Sequence, residues 1–244
     1  MRALNITLSI LAVATLASCA SGPGQVSGPV KLTVLHTNDH HGRFWKNNDG
    51  ELGLAARKTL IDGIRAEVKA AGGHTLLLDG GDVNTGIPES DTQDAEPDFK
   101  GMKLIGYDAM ALGNHEFDKP LPVLAKQMQW AGFPMISANI YKDGQRLYKP
   151  FEMFDRGGLK IAVMGLTTDD TKKMTDPANT GMLEFRKPAD EAAKLVPELR
   201  KQAHVVIAAT HMGHYTDGKS GVNAPGDVEM ARQVKGIDLI VGGH

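Results

Sequence analysis

The sequence predicts an α/β fold built on mainly parallel strands, and three observations carry that prediction. From Val30 onward, short β-branched or apolar runs alternate with longer segments of helical period. With 28 Gly, 12 Pro and only 5% aromatic residues, the chain has many turns between short elements. Polar side chains of metal-binding type follow one apolar run after another, as they do where strand ends face a site.

Taken in order, Lys31 to Thr37 alternates in character and reads as a strand. Leu54 to Ala71 carries apolar residues at helical spacing and stops at Gly72-Gly73. Thr75 to Leu78, Ala109 to Leu112, Pro134 to Ser137, Leu159 to Met164, Val205 to Ala209 and Ile237 to Val241 read as further strands. Helices are predicted near 120–131, 188–202 and 226–234. The acidic run from Glu89 to Asp98 lacks the spacing of an EF-hand and reads as a solvated loop. No internal repeat or second linker breaks the pattern, so 30–244 is expected to be one domain. A hydrophobic content of 41% with 23% charged residues suits one sizeable core.

The formal net charge is −2, which excludes the strong positive field that binding to a nucleic-acid polymer requires. Any phosphate must be gripped locally. The single cysteine, Cys19, has no partner for a disulfide within the chain. It follows Arg2, an apolar run from Ile6 to Ala17 that is short for a bilayer, and Leu16-Ala17-Ser18. This pattern resembles a bacterial lipoprotein signal. The resemblance implies cleavage after residue 18, a lipid on Cys19, and export to the periplasm or cell surface with a membrane anchor. Ala20 after the cysteine matches the outer-membrane address of such proteins. Residues 19–29 hold little to bury and are expected to form a flexible tether.

The chemistry lies at the ends of the apolar runs. Asp39, His40 and His41 follow the first, and Asp79 with Gly80-Gly81-Asp82 follows the second. Asn114, His115, Glu116 and Asp118 follow the third; His211 and His214 follow Val205 to Ala209, and His244 follows Ile237 to Val241. Five such endings can converge on one site at the carboxyl edge of a sheet. Asp, His and Asn together suit borderline divalent metals, with no thiolate required. Glycines beside Asp82, Asn114 and His244 allow the sharp turns that would aim these side chains inward. No GxSxG elbow is present in the sequence, so a serine elbow is not expected.

The segments LHTNDHHG, LLLDGGDVNTG, ALGNHEFD, ATHMGH and VGGH, in this order, resemble the calcineurin-like metallophosphoesterases, in particular the bacterial UDP-sugar hydrolase/5'-nucleotidase branch. The likeness runs through the intervening sequence from Val30 to His244. It implies a metallophosphoesterase four-layer α-β-β-α sandwich with mainly parallel strands and a site for two divalent ions, whether zinc, manganese, cobalt or magnesium. Asp39 and His41 would hold one ion, Asp82 would bridge, and Asn114, His211 and His244 would complete the second. His115 would stabilise the phosphoryl group, with Asp118 orienting its ring. Two divalent ions against the two carboxylates Asp39 and Asp82 leave a positive excess that suits a phosphate dianion. The implied substrates are nucleoside 5'-monophosphates and UDP-sugars. The resemblance also implies a catalytic domain that is incomplete at its C-terminus, lacking one ligand of the first metal and a nucleotide-binding C-terminal domain that would hold the substrate-binding residues. Two other readings stay open: a 2',3'-cyclic-nucleotide phosphodiesterase on the same metal core, and a surface-anchored metal-binding module without turnover. Glu116 is expected to be a structural carboxylate, and His40 and His214 to brace or pack.

Overall fold

The structure is a computed structural model, and it describes residues 22–48, 50, 52–216 and 225–244. The expected signal segment 1–18 and the lipidation site Cys19 lie outside the described residues. The described part of the expected tether, 22–29, forms no helix or strand. Gly24 O accepts from His204 Nε2 at 2.7 Å, and His204 Nδ1 in turn accepts from Lys160 N at 2.9 Å.

The chain opens with β1 (Leu32–Thr37), α1 (Leu54–Ala70) and β2 (His74–Asp79). Next come α2 (Pro88–Asp91), α3 (Glu96–Ile105), β3 (Ala109–Ala111), a 3-10 turn (His115–Phe117), α4 (Leu121–Ala131) and β4 (Met135–Ile136). A short stretch supplies β5 (Ile140–Lys142) and β6 (Gln145–Arg146), followed by the hairpin β7 (Phe151–Arg156) and β8 (Leu159–Thr167). Then follow α5 (Thr171–Met174), α6 (Pro177–Thr180), β9 (Leu183–Phe185), α7 (Pro188–Arg200), β10 (Val205–His211), α8 (Asp227–Gln233) and β11 (Leu239–Gly243).

One sheet runs β1-β2-β3-β4 with every neighbour parallel. A second runs β11-β10-β8-β7, parallel except for the β7/β8 hairpin. The two-residue period of a strand explains how these sheets stack. Leu76 and Leu78, Ala109 and Ala111, Ile161 and Val163, and Ile207 and Ala209 share one core between the sheets. Leu77, Met110 and Leu112 point the other way, onto Ile61 of α1, Phe99 and Met102 of α3 and Leu124 of α4. Ala162, Met164, Val206 and Ala208 likewise meet Ala192, Val196 and Leu199 of α7 and Met230 of α8. The result is the four-layer α-β-β-α sandwich. Each buried Leu or Ile contributes roughly 1.5–3 kcal/mol, so the between-sheet layer alone is a major part of what holds the halves together.

Three expectations change. The run Glu89–Asp98 is not a solvated loop. Pro88 opens α2, Pro97 lies in the first turn of α3, and Phe99, Met102 and Ile105 give α3 a buried face that carries Asp98 inward to full burial. The strand predicted over 237–241 sits two residues later, so the pair Gly242-Gly243 forms the last two residues of β11. The strand ending predicted at Ala209 continues to His211, paired with Thr167 on one side and Gly243 on the other. The edge strand β7, with Glu152, Asp155 and Arg156 among its six residues, and the two- and three-residue strands of the antiparallel β6-β5-β9 sheet are too charged or too short to show a period. No helix among the described residues is long and apolar enough to cross a membrane.

Candidate metal centre

All five segments end at one edge of the sandwich. After β1 the chain turns through Asp39 (φ 50°) and His41 (φ 47°), and after β2 through Gly81 (φ 98°) and Asp82 (φ 61°). Left-handed backbone at Asp and His costs about 1 kcal/mol or more each and marks a functional turn. The two turns are zipped together by main-chain bonds: Asp39 N donates to Gly81 O at 2.9 Å, His41 N to Asp82 O at 3.1 Å and Gly42 N to Val83 O at 3.0 Å. The third turn, after β3, packs beneath Asp82, where a Cβ at Gly113 would stand 2.2 Å from Asp82 Oδ1. Only glycine fits there. The N–H of His115 donates to that same Oδ1 at 2.9 Å.

The imidazoles are aimed by their far nitrogens. His41 Nδ1 lies 2.8 Å from Thr85 O, and His211 Nδ1 lies 2.7 Å from Gly80 O. A carbonyl only accepts, so each Nδ1 carries a proton and each Nε2 faces the centre. His41 Nε2 stands 3.8 Å from Asp39 Oδ1 and 3.9 Å from Asp82 Oδ2. His211 Nε2 stands 2.9 Å from Asp82 Oδ2, without the alignment of a hydrogen bond, and 4.0 Å from Asp39 Oδ1. His244 is bound through its main chain, its N–H donating to Asp39 Oδ2 at 3.0 Å, and its ring meets that of His211 edge-on with centroids 4.9 Å apart.

Two groups that could hold a metal ion share Asp82: His41, Asp82 and His115, and Asp82, His211 and His244, each with donor atoms within 4.8 Å of one another. Asn114 Oδ1, His211 Nε2 and His244 Nε2 are buried without a hydrogen-bond partner. A buried polar atom left alone costs about 1–3 kcal/mol, and three such atoms at one centre fit a pair of divalent ions. The structure thus brings together Asp39, His41, Asp82, His211 and His244, with Asn114 held between Gly113 and His115 beside Asp82. His115, expected beside the substrate, also falls within ligand distance of the first group. Its Nδ1 lies 2.6 Å from Asp118 Oδ2, the pairing that the family resemblance implied.

Charge is arranged around the shared carboxylate. Burial works against a charged His211 ring, yet the Asp82 carboxylate beside it pushes that ring up to about 9. Burial would raise Asp82, but His211 holds it below the ordinary carboxylate range. The hydrogen bond that the His115 ring makes to the Asp118 carboxylate raises the His115 pKa despite partial burial. Burial raises Asp79 to about 6.

Glu116 behaves as the structural carboxylate expected of it, collecting the N–H groups of Asp82 (2.9 Å), Val83 (2.9 Å), Asn84 (3.3 Å) and Gly113 (2.8 Å). Thr85 was not singled out from sequence: its hydroxyl donates to Asp118 while its carbonyl fixes His41. Nothing in a lone threonine signals that. His40 turns inward to Asp98 at 2.9 Å. His214 is exposed and, with Asp39, Asp227, Arg232 and His244, lines an open depression of about 750 Å³ beside the centre.

Comparison with known proteins decides the family. Residues 32–244 match the calcineurin-like phosphoesterase model. The chain belongs to the calcineurin-like phosphoesterase family. It is 61% identical over 250 residues to the 5'-nucleotidase of Vibrio vulnificus, which covers 99% of this chain and 45% of that protein. It is 59% identical over 246 residues to protein UshA of Escherichia coli, covering 98% of this chain and 45% of the relative. The 5'-nucleotidase precursor of Thermus thermophilus superposes with a TM-score of 0.72 at 32% identity, over 87% of this chain and 41% of that one. The phosphoesterase chain therefore spans a little under half the length of the curated relatives it matches.

Proposed function

We propose that residues 30–244 form the catalytic domain of a metal-dependent hydrolase that removes phosphate from nucleoside 5'-monophosphates and cleaves UDP-sugars. The observation that carries this reading is the convergence of Asp39, His41, Asp82, Asn114, His211 and His244 around one shared carboxylate, with three buried donor atoms lacking any protein partner. The names of the relatives supply the nucleotide.

Asp39 and His41 would hold one divalent ion, Asn114, His211 and His244 the other, and Asp82 both. When bound, such ions activate water and polarise a phosphoryl group. The chain's own part is orientation and charge. The Thr85 and Gly80 carbonyls keep His41 and His211 in the tautomer that leaves Nε2 free to ligate. His115, its ring held by Asp118, which raises its pKa, would present its other nitrogen toward the same space to donate to a phosphoryl oxygen or a leaving group. Export and a lipid on Cys19 belong to the same reading, and loss of lipid labelling in Cys19→Ala would test them.

The experiment compares turnover of AMP, UDP-glucose and cyclic 2',3'-AMP by the full-length protein, with and without chelator. AMP turnover that vanishes on chelation and returns with a divalent ion supports the proposal, and dominance of the cyclic substrate would overturn it. In His115→Ala, kcat on a generic aryl phosphate is expected to fall about 10²–10⁴-fold with both ions still bound. Unchanged kcat would remove His115 from the chemistry.

A further inference from the structure

A partly buried chain of hydrogen bonds joins the two left-handed turns without touching the centre itself, and its middle is Arg57 of α1. A guanidinium only donates. Arg57 Nη2 lies 3.3 Å from His40 Nδ1, so that nitrogen accepts and the His40 proton sits on Nε2. His40 Nε2 then donates to Asp98 Oδ1 at 2.9 Å, while Ser90 Oγ donates to Asp98 Oδ2 at 2.6 Å. The His40 and Asp98 side chains are both wholly buried.

The second arm runs the other way. Arg57 Nη1 donates to Tyr107 Oη at 3.3 Å. Tyr107 Oη and Thr37 Oγ1 are 2.7 Å apart, and Thr37 spends its single proton on Asp79 Oδ2, so Tyr107 is the donor between them. Asp79 Oδ1 finally accepts the N–H of Gly81 at 2.9 Å. One guanidinium thus feeds two donor chains of fixed direction, each ending on a buried carboxylate.

The ends of these arms are significant. His40 lies between Asp39 and His41, both left-handed, and anchors that turn to α3. Gly81 lies between Gly80 and Asp82, and Asp79 holds its N–H. Each arm therefore pins a turn whose backbone would relax toward the commoner right-handed region if released. We infer that Arg57 is a positioning residue for the metal centre, setting the Asp39-His41 turn through His40 and the Gly81-Asp82 turn through Tyr107, Thr37 and Asp79.

This inference rests on the two-ion reading above, so the test reads metal affinity with no substrate present. Chelator-stripped full-length protein is titrated with Mn²⁺ against a chromophoric chelator, in parallel with thermal unfolding of the stripped form. Arg57→Met is expected to weaken at least one site about tenfold or more, the scale found when partners of ligands are removed. Arg156→Met is the control. That side chain makes a comparable pair, 2.6 Å from Asp108 Oδ1 and 2.9 Å from Thr75 O, at the opposite edge of the sandwich, so its loss should lower thermal stability and leave Mn²⁺ affinity unchanged. Should Arg57→Met not fold, Tyr107→Phe cuts one arm with minimal change in volume and is expected to cost several-fold in affinity. Parent-like binding of two Mn²⁺ by either folded variant overturns the inference and leaves the two-ion reading intact. A parent protein that takes up no Mn²⁺, Zn²⁺ or Co²⁺ overturns the two-ion reading instead.

Discussion

The two sheets deliver the proposed ligands by different means. The second sheet does so for His211 through regularity, as the last residue of β10 with its backbone paired to β8 and β11, whereas its His244 lies just beyond β11 at φ 92°. The first sheet does so through irregularity, with Asp39, His41 and Asp82 all on left-handed backbone just beyond their strands. A strand residue is held by its ladder. A strained turn needs holding from outside, and the first sheet's turns rest on the buried polar side chains of His40, Asp79, Asp98 and Glu116. Irregular geometry is obtained here at the cost of buried charge.

The largest expected effect comes where the two modes meet. Asp82 faces His41 of the first sheet and His211 of the second. Asp82→Ala should abolish ordered binding of the second ion and lower kcat by at least about 10³-fold, because several kcal/mol of charge stabilisation would leave with it. A variant that still binds two ions tightly would show that the halves ligate independently.

How far the centre was legible follows the same division. Chemistry and position after apolar runs are local signals, and they marked Asp39, His41, Asp82, Asn114, His211 and His244 together with neighbours such as His40, Asp79 and His214; the family resemblance singled out the six. The central strands were legible as short continuous apolar runs, such as Leu76 to Leu78 and Val205 to Ala209, because both faces of each are buried; which face meets which core was not. The holding apparatus was not legible. Arg57 reads as one more surface cation on an amphipathic helix, Tyr107 as an ordinary half-polar core residue, and Asp98 as part of an acidic loop. Their roles arise only when α1, α3 and two strand ends come together, contacts separated by up to 70 residues in sequence.

A second way to break the comparison is to remove a brace that serves the first sheet alone. Glu116 takes four N–H groups from the turns after β2 and β3 and none from the second sheet. Glu116→Ala would leave those donors buried and unpaired, at about 1–3 kcal/mol each before relaxation. The stripped protein is expected to lose about 3 kcal/mol or more in urea unfolding, with amide exchange rising first at Asp82, Val83 and Gly113. Exchange that rises evenly across both sheets would argue that the two halves are not separately held.

The smallest expected effect is the sharpest, because it isolates one charge. Asp79 is fully buried, and burial lifts its carboxyl from 3.8 to about 6, against the hydrogen bonds of Thr37 and Gly81 that favour the charged form. An acid whose folded pKa is raised binds its proton more tightly in the native state, so between about 4 and 6 the native state holds more protons than the unfolded chain. Stability must then fall as pH rises through that window, by up to about 3 kcal/mol, and stay lower above it. Asn at this position can accept from Gly81 N and donate to Thr37 Oγ1, which then donates to Tyr107, so it keeps the arm connected without the charge. Stripped Asp79→Asn is therefore expected to match the parent near pH 4 and to exceed it above about pH 6. The measurement is the difference between variant and parent in urea unfolding across about pH 4 to 7, which cancels the titration of every other group. A difference that does not grow with pH would mean that the polar chain under the first sheet stabilises the charged Asp79 fully, and that its turns are held without a penalty.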